Sequence, residues 1–396
     1  MAPNGHGCDE FWKHSWQGKS GIRRISRFDP SSLRSQIAGE ITNFDESNWI
    51  SSEDQKDLSG VIAYADAAAT EALEQAQFSH PPRPERVSIV LGSGGGAIDF
   101  MESQYRWYFT DQGEPSVYNI PSSTMGNLAS ELSIRKEFTG PSHVVSTGCN
   151  SSSDAFGHAL MMLRAGRIDS VLCGGVDRPI TPAVMAGFEK MRVTATGWNQ
   201  EPTRASRPFD RRRNGFVLGE GAWFALLETE SSWKNRNGPD PLARLSGYAS
   251  SCDAHHRVRM NQQGKTASKT IEKATRDANK DTTDIDYIQA HGTSTKMNDR
   301  VETRIFKQTF DDPPPISSVK SMIGHPQGAS GAAGLVAGIG AIQKQSIHPT
   351  INLEETDPDC DLFYVPNESM VHDVDTVLIH TLGFGSRNSC IILEKP

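Results

Sequence analysis

Three residues of this chain have types and settings that could do chemistry together: Cys149, His291 and His325. Cys149 stands in the run His143-Val-Val-Ser-Thr-Gly-Cys149-Asn-Ser-Ser-Ser-Asp-Ala-Phe156, where an apolar strand-like piece ends, one glycine turns the chain and the cysteine opens a helix-like segment. A thiol there meets the free amides and aligned dipoles of a helix start, which favour thiolate over thiol. The chemistry offered is that of a nucleophile. A structural cysteine more often sits mid-strand or mid-helix as a small apolar residue. The two histidines stand just past strand ends, in Gln289-Ala-His-Gly-Thr-Ser-Thr295 and Ser318-Val-Lys-Ser-Met-Ile-Gly-His325. Glycines beside both admit close approach of a substrate backbone, and strand ends are where α/β folds build sites. Either histidine alone reads as a packing or surface residue. Both together, with a helix-opening cysteine, read as partners of its sulfur.

Hydrophobic periodicity gives the elements that must position them. Residues 57–77 and 124–138 read as helices, and 86–91 as a short strand followed by Gly92-Ser-Gly-Gly-Gly96. A strand ending at Thr147, a helix over 149–164 and strands over 170–173 and 221–228 follow. The polar stretch 230–241 reads as a connection, dividing the chain into halves 1–235 and 236–396. In the second half, strands are expected near 242–249, 286–290, 315–319, 376–381 and 389–393, and helices over 267–279, 299–310 and 328–343. This alternation argues for α/β architecture with mainly parallel sheets. Each half carries a strand, a turn with a reactive residue and a small-residue helix, which suggests duplication without a visible sequence repeat.

Composition narrows the class. With 396 residues, 36% hydrophobic and 22% charged, the chain reads as an ordinary soluble globular protein. A net charge of -8 argues against general nucleic-acid binding. Cys8, Cys149, Cys173, Cys252, Cys360 and Cys390 are scattered and read as reduced thiols of a cytoplasmic protein. Residues 1–24 contain no apolar core of a signal peptide, and 328–342 is too short and small-residued to span a membrane. The glycine turn at 92–96 fits a dinucleotide fingerprint only loosely, lacking an acidic residue at the end of a second strand, and is read as packing. Cys252, His255 and His256 lack a second ligand pair, so no metal is expected. Arg204, Arg207 and the run Arg211, Arg212, Arg213 form a basic cluster on an acidic chain: a solvated surface, or a rim that would steer an acidic partner.

The motifs carry a resemblance. Thr147-Gly-Cys149, His291-Gly-Thr-Ser-Thr295, Lys320-Ser-Met-Ile-Gly-His325 and Gly383-Phe-Gly385 look like the four signature blocks of β-ketoacyl-acyl-carrier-protein synthases. Arg207-Pro-Phe-Asp210 with Gly215-Phe-Val-Leu-Gly-Glu-Gly221 resembles a fifth, and the blocks run in family order over nearly the whole chain. Within the family, Ser146-Thr-Gly-Cys149, Arg178-Pro-Ile-Thr-Pro182, Asp284-Ile-Asp-Tyr287 and Asp357-Pro-Asp-Cys-Asp361 resemble the catalytic ketosynthase subunit of type II polyketide synthases.

The resemblance implies a thiolase-like fold of two duplicated α/β halves in αβαβα layers. It implies decarboxylative condensation of an acyl chain on Cys149 with malonyl-carrier protein. By the same resemblance His291 and His325 stabilise the enolate, Lys320 and Glu302 support them, and the amides of Cys149 and Phe384 form an oxyanion hole. Phe384 is the expected gate, and Thr293 and Thr295 the pantetheine contacts. Arg211, Arg212 and Arg213 are candidates for carrier-protein docking. No permanently bound cofactor is expected, since substrates ride on carrier-protein phosphopantetheine. The implied assembly is a dimer, either of identical subunits or with a chain-length-factor subunit, without nucleic acid or membrane. Three rivals remain: a fatty-acid chain-elongating synthase, a non-catalytic chain-length-factor-like subunit, and a thiolase, which would need a second catalytic cysteine. Family members also open with an apolar strand, expected at the centre of the first sheet, whereas this sequence opens in the following loop.

Overall fold

The apolar runs build two sheets in a computed structural model that describes residues 1–79 and 81–396. The first contains β1 (Val87–Gly92), β2 (Ser142–Val145), β3 (Ser170–Asp177) and β4 (Gly221–Glu228), in the order β2-β1-β3-β4. The second contains β5 (Arg244–Cys252), β6 (Tyr287–Gln289), β7 (Ile316–Ser317), β8 (Thr376–Gly383) and β9 (Arg387–Glu394), in the order β5-β9-β8-β6-β7. Every residue of β1 and β3 is buried. These strands are therefore near-continuous apolar runs, as expected when helices cover both faces of a parallel sheet.

Helices α1 (Val61–Gln75) and α2 (Asn127–Lys136) cover the outer face of the first sheet. Helices α3 (Ser151–Arg164) and α6 (Ser330–Lys344) lie between the sheets. Helices α4 (Lys265–Asp277) and α5 (Lys296–Thr309) cover the second sheet from outside. The layers are thus αβαβα, the thiolase-like arrangement. The small residues of α6 let the two central helices approach closely. A Cβ at Gly331 would come within 2.1 Å of Ser153 Oγ on α3.

Strand order reveals the duplication that the sequence only suggests. In the second half the first strand, β5, lies beside the last, β9, and the remainder follow as β8, β6 and β7. The first sheet repeats this pattern in order and direction, and among the described residues it has no strand equivalent to β5. Met1 stands at that place: its amine donates to Ala222 O (2.7 Å) and its carbonyl accepts from Ala222 N (3.0 Å). The position of the opening strand is therefore the sheet's edge, beside β4, and the expected central place is corrected. An edge strand closes one ladder where a central strand closes two, so less of the sheet depends on it.

The glycine turn after β1 is explained by one carboxylate. Asp177, at the end of β3, accepts hydrogen bonds from Ser93 Oγ and from the amides of Gly94 and Gly95. It also accepts from Gly328 N, at 2.6 Å, so a single side chain ties the first half to the turn leading into α6. Burial raises its pKa to about 6 against those donors. The turn's amides hold a protein carboxylate, as the packing reading expects.

Candidate active site

The site forms where strand ends of the two halves face each other. Gly148 turns the chain with φ +68° after β2, and Cys149 follows in a single helical turn, Gly148–Asn150, that leads into α3. His291 follows β6, and His325 follows the short helix Lys320–Ile323. His325 is pinned to the first half by its amide, which donates to Val217 O at 2.7 Å, and by its carbonyl, which accepts from Gly219 N at 3.0 Å. One ligand-type atom from each of Cys149, His291 and His325 lies within 4.8 Å of the others, and all three residues are buried. The two imidazoles meet edge to face, with ring centroids 5.3 Å apart.

Electrostatics assigns protonation states. Burial, together with the Lys320 charge, holds both histidines well below the usual imidazole range, so each is neutral near pH 7. His325 Nδ1 is 2.9 Å from Ser330 Oγ, a contact that fixes the ring. Burial lowers Lys320 to about 8, against the opposing charge of Glu302, Cys149 and Asp299. Burial also pushes the Cys149 thiol up to about 11, although Lys320 and the amides of Phe384 and Cys149 oppose it. The expectation that the helix start favours thiolate is corrected: desolvation outweighs the neighbouring cation and the amide donors.

Glu302 reaches the site from α5. Its Oε1 accepts from His291 N at 2.7 Å and its Oε2 from Gly292 N at 2.8 Å, so it clamps the peptide that carries the histidine. Thr293 and Thr295 are 3.1 Å apart at their hydroxyls, and Thr295 caps α5 by accepting from Asn298 N. Phe384 lies between Gly383 and Gly385, against the Cys149 turn. Its loop is held by Gly385 N donating to Arg257 O and by Ser386 Oγ donating to His256 O. Cys149 is only 7% exposed, so an acyl chain must displace part of this cover.

The basic run 211–213 divides. Arg211 is exposed, but Arg213 is 1% exposed and pairs with Asp299 at 3.3 Å and Asp357 at 2.5 Å. Arg212 contacts Asp210, Glu354 and Glu355. The docking role expected of Arg213 is corrected, because a buried guanidinium pinned by two carboxylates presents nothing to a partner. Arg213→Ala leaves the buried Asp299 without its guanidinium partner. It should cost roughly 3–5 kcal/mol, read as a lower urea midpoint, with an unchanged KM for carrier protein. A salt-sensitive change confined to KM would return Arg213 to the docking surface.

Sequence reasoning missed Ser330, Asn298 and His380. The available signal for His380 was a titratable residue inside the apolar strand β8; its Nδ1 lies 2.7 Å from Glu302 Oε1.

A buried nucleophile opposed by two neutral imidazoles, at the strand ends of a duplicated αβαβα core, defines a thiolase-like condensing enzyme. Comparison with known proteins places it further. Residues 1–232 match the N-terminal domain of β-ketoacyl synthase and residues 242–354 its C-terminal domain. A putative polyketide β-ketoacyl synthase 1 of Streptomyces halstedii is 37% identical over 411 residues, covering 100% of this chain and 96% of that protein. The 3-oxoacyl-[acyl-carrier-protein] synthase 2 of Coxiella burnetii is 34% identical over 400 residues, with the same coverage of 100% and 96%. Among solved structures, the ishigamide ketosynthase/chain length factor superposes with a TM-score of 0.90 at 30% identity, covering 100% of this chain and 97% of that one. A type II polyketide ketosynthase, solved with its acyl-carrier protein and a hexaketide, gives 0.90 at 28% identity with the same coverage. The chain belongs to the β-ketoacyl synthase family, and it is an acyl-condensing transferase. A thiolase reading lacks its second cysteine: Cys390 lies fully buried within β9, outside the Cys149 cluster. Among the described residues no helix is long and apolar enough to cross a membrane.

Proposed function

We propose that this chain is the catalytic ketosynthase of a type II polyketide synthase, extending a carrier-protein-bound acyl chain by decarboxylative condensation. The observation that carries the chemistry is the buried convergence of Cys149 with two neutral histidines. The Cys149 sulfur attacks an acyl-pantetheine thioester, and its proton leaves with the pantetheine thiol. A malonyl thioester then loses carbon dioxide, and the electron pair moves onto its carbonyl oxygen. His291 and His325 donate hydrogen bonds to that enolate oxygen, which water would otherwise have to stabilise. The enolate carbon attacks the Cys149 thioester. The amides of Cys149 and Phe384 stabilise the tetrahedral oxygen, and the sulfur departs to recover a proton. Lys320 and Glu302 hold the charge balance behind the histidines, Thr293 and Thr295 bind the pantetheine arm, and Phe384 gates its entry.

The carrier protein is expected at the gate. Arg257, Arg259 and Arg387 are exposed around the Phe384 loop, and the backbone of Arg257 helps hold that loop. Carrier proteins are acidic, so this rim suits them electrostatically. Replacing Arg257 and Arg387 together by glutamate should raise KM for carrier protein at least about tenfold at low salt, shrinking as salt rises. An unchanged KM places docking elsewhere, with the exposed Arg211 as the next candidate.

A second subunit fits the opposite edge of the first sheet. Among the described residues strand β2 pairs with β1 alone, and the same half of the chain exposes Trp107, Tyr108, Phe109, Tyr118 and Ile120. An open strand edge with exposed aromatics is a surface that a stable protein covers. The partner we favour is a homologous chain-length-factor subunit, with an identical subunit as the other outcome. The division of the chain at 235/236 is part of the same reading. The deciding experiment is mass spectrometry of carrier-bound products formed with and without the candidate partner. Products of polyketide type only with the partner support this reading; reduced-chain elongation by the protein alone supports the fatty-acid synthase.

A further inference from the structure

No step of the condensation uses His380. It lies midway along β8, 1% exposed, with Nδ1 against Glu302 and Nε2 buried without a partner. Its ring meets Phe306 edge-on at 5.3 Å between centroids, and its neighbour across the strand pair is Cys390. A leucine would fill this space without leaving a buried nitrogen unpaired, so the ring has to be accounted for by its other nitrogen.

That nitrogen completes a shell. Glu302 is 0% exposed on its side chain. Its oxygens accept from His291 N, Gly292 N, Asn298 Nδ2 and His380 Nδ1. These donors replace the hydration that burial takes from the carboxylate. A carboxylate oxygen accepts, so the proton of this contact sits on His380 Nδ1.

We infer that His380 is a positioning residue of the condensation site, holding the Glu302 carboxylate and through it the His291–Gly292 peptide. The inference deepens the decarboxylative reading above and rests on it. Its reach extends to Lys320. Burial lowers that ammonium, and Glu302 supplies the largest charge opposing the shift, ahead of Cys149 and Asp299. The neighbouring His291 and His325 are neutral. Without that donor the Glu302 carboxylate is free to turn away from Lys320, which then gives up its proton at lower pH.

The test compares wild type with His380→Asn and His380→Leu, following carbon dioxide release from malonyl-carrier protein between about pH 6 and 9. Asparagine places Nδ2 near the position of the ring Nδ1 and should keep kcat within about threefold of wild type. Leucine should lower kcat about tenfold or more with KM little changed, and move the alkaline limb to lower pH. Equal kcat and pH limb in the leucine variant overturn the inference. So does an asparagine variant that loses as much as leucine, which would mark the ring as packing alone. If leucine does not fold, His380→Met, also without a donor, takes its place under the same criteria. A wild-type protein that releases no carbon dioxide sinks the decarboxylative reading itself, and that outcome is distinct from an active wild type with unaffected variants.

Discussion

Cys149→Ala will abolish chain extension while carbon dioxide release from malonyl-carrier protein continues. Extension needs a sulfur to carry the growing chain. Decarboxylation needs only a bound malonyl thioester and the two imidazoles, which the substitution leaves in place. The loss should reach the detection limit for condensed product, because no second thiol can substitute. Cys173, Cys360 and Cys390 are buried, Cys8 opens the N-terminal helix Cys8–Trp16, Cys252 is exposed at the end of β5, and none of the five joins the cluster of Cys149 with the two histidines. Intact-mass analysis after incubation with acyl-carrier protein should find the acyl group on Cys149 in wild type and nowhere in the variant. The wild-type thiol should also alkylate slowly. With its pKa near 11, its rate should climb about tenfold per pH unit through pH 9 without a plateau. Retained extension in the variant removes Cys149 as acyl carrier.

His325→Ala will lower the rate of carbon dioxide release by a factor of about 100 to 1,000, the usual loss when one donor to a developing oxyanion is deleted. Loading of Cys149 should persist, since acyl transfer uses the backbone amides instead. Neutrality matters to the sign of the pH dependence. Burial holds His325 and His291 well below 6.5, so neither takes up a proton as pH falls through 6.5. Decarboxylation should therefore stay level across that interval and fall only in stronger acid. A steep loss centred on 6.5 would mean that the imidazoles titrate as exposed ones do. An unchanged release rate in the alanine variant would take His325 out of the site.

How much of this was legible in the sequence depended on distance along the chain. The residues around Cys149, His291 and His325 form contiguous blocks, and strand-turn-helix order places the first two at strand ends, whereas His325 follows the short helix Lys320–Ile323. Partnerships between distant segments left no trace. Arg213 read as a surface cation because Asp357, 144 residues away, could not be known to meet it. Glu302 and His380 are 78 residues apart and likewise joined only in the fold. The thiolate expectation failed for a related reason: a helix start is local and readable, whereas burial of the sulfur is contributed by the whole surrounding core. The opening strand was misplaced because adjacency within a sheet is fixed by pairing, and pairing shows only when the two halves are laid over one another.

The carboxylate of Asp177 binding the Gly328 amide gives the molecule an economy of assembly. Nucleophile and imidazoles belong to separate sheets that share one core, so the reaction centre exists only where the two halves meet. Catalytic competence is thus a property of how the two halves dock, and this one buried carboxylate records whether they have done so.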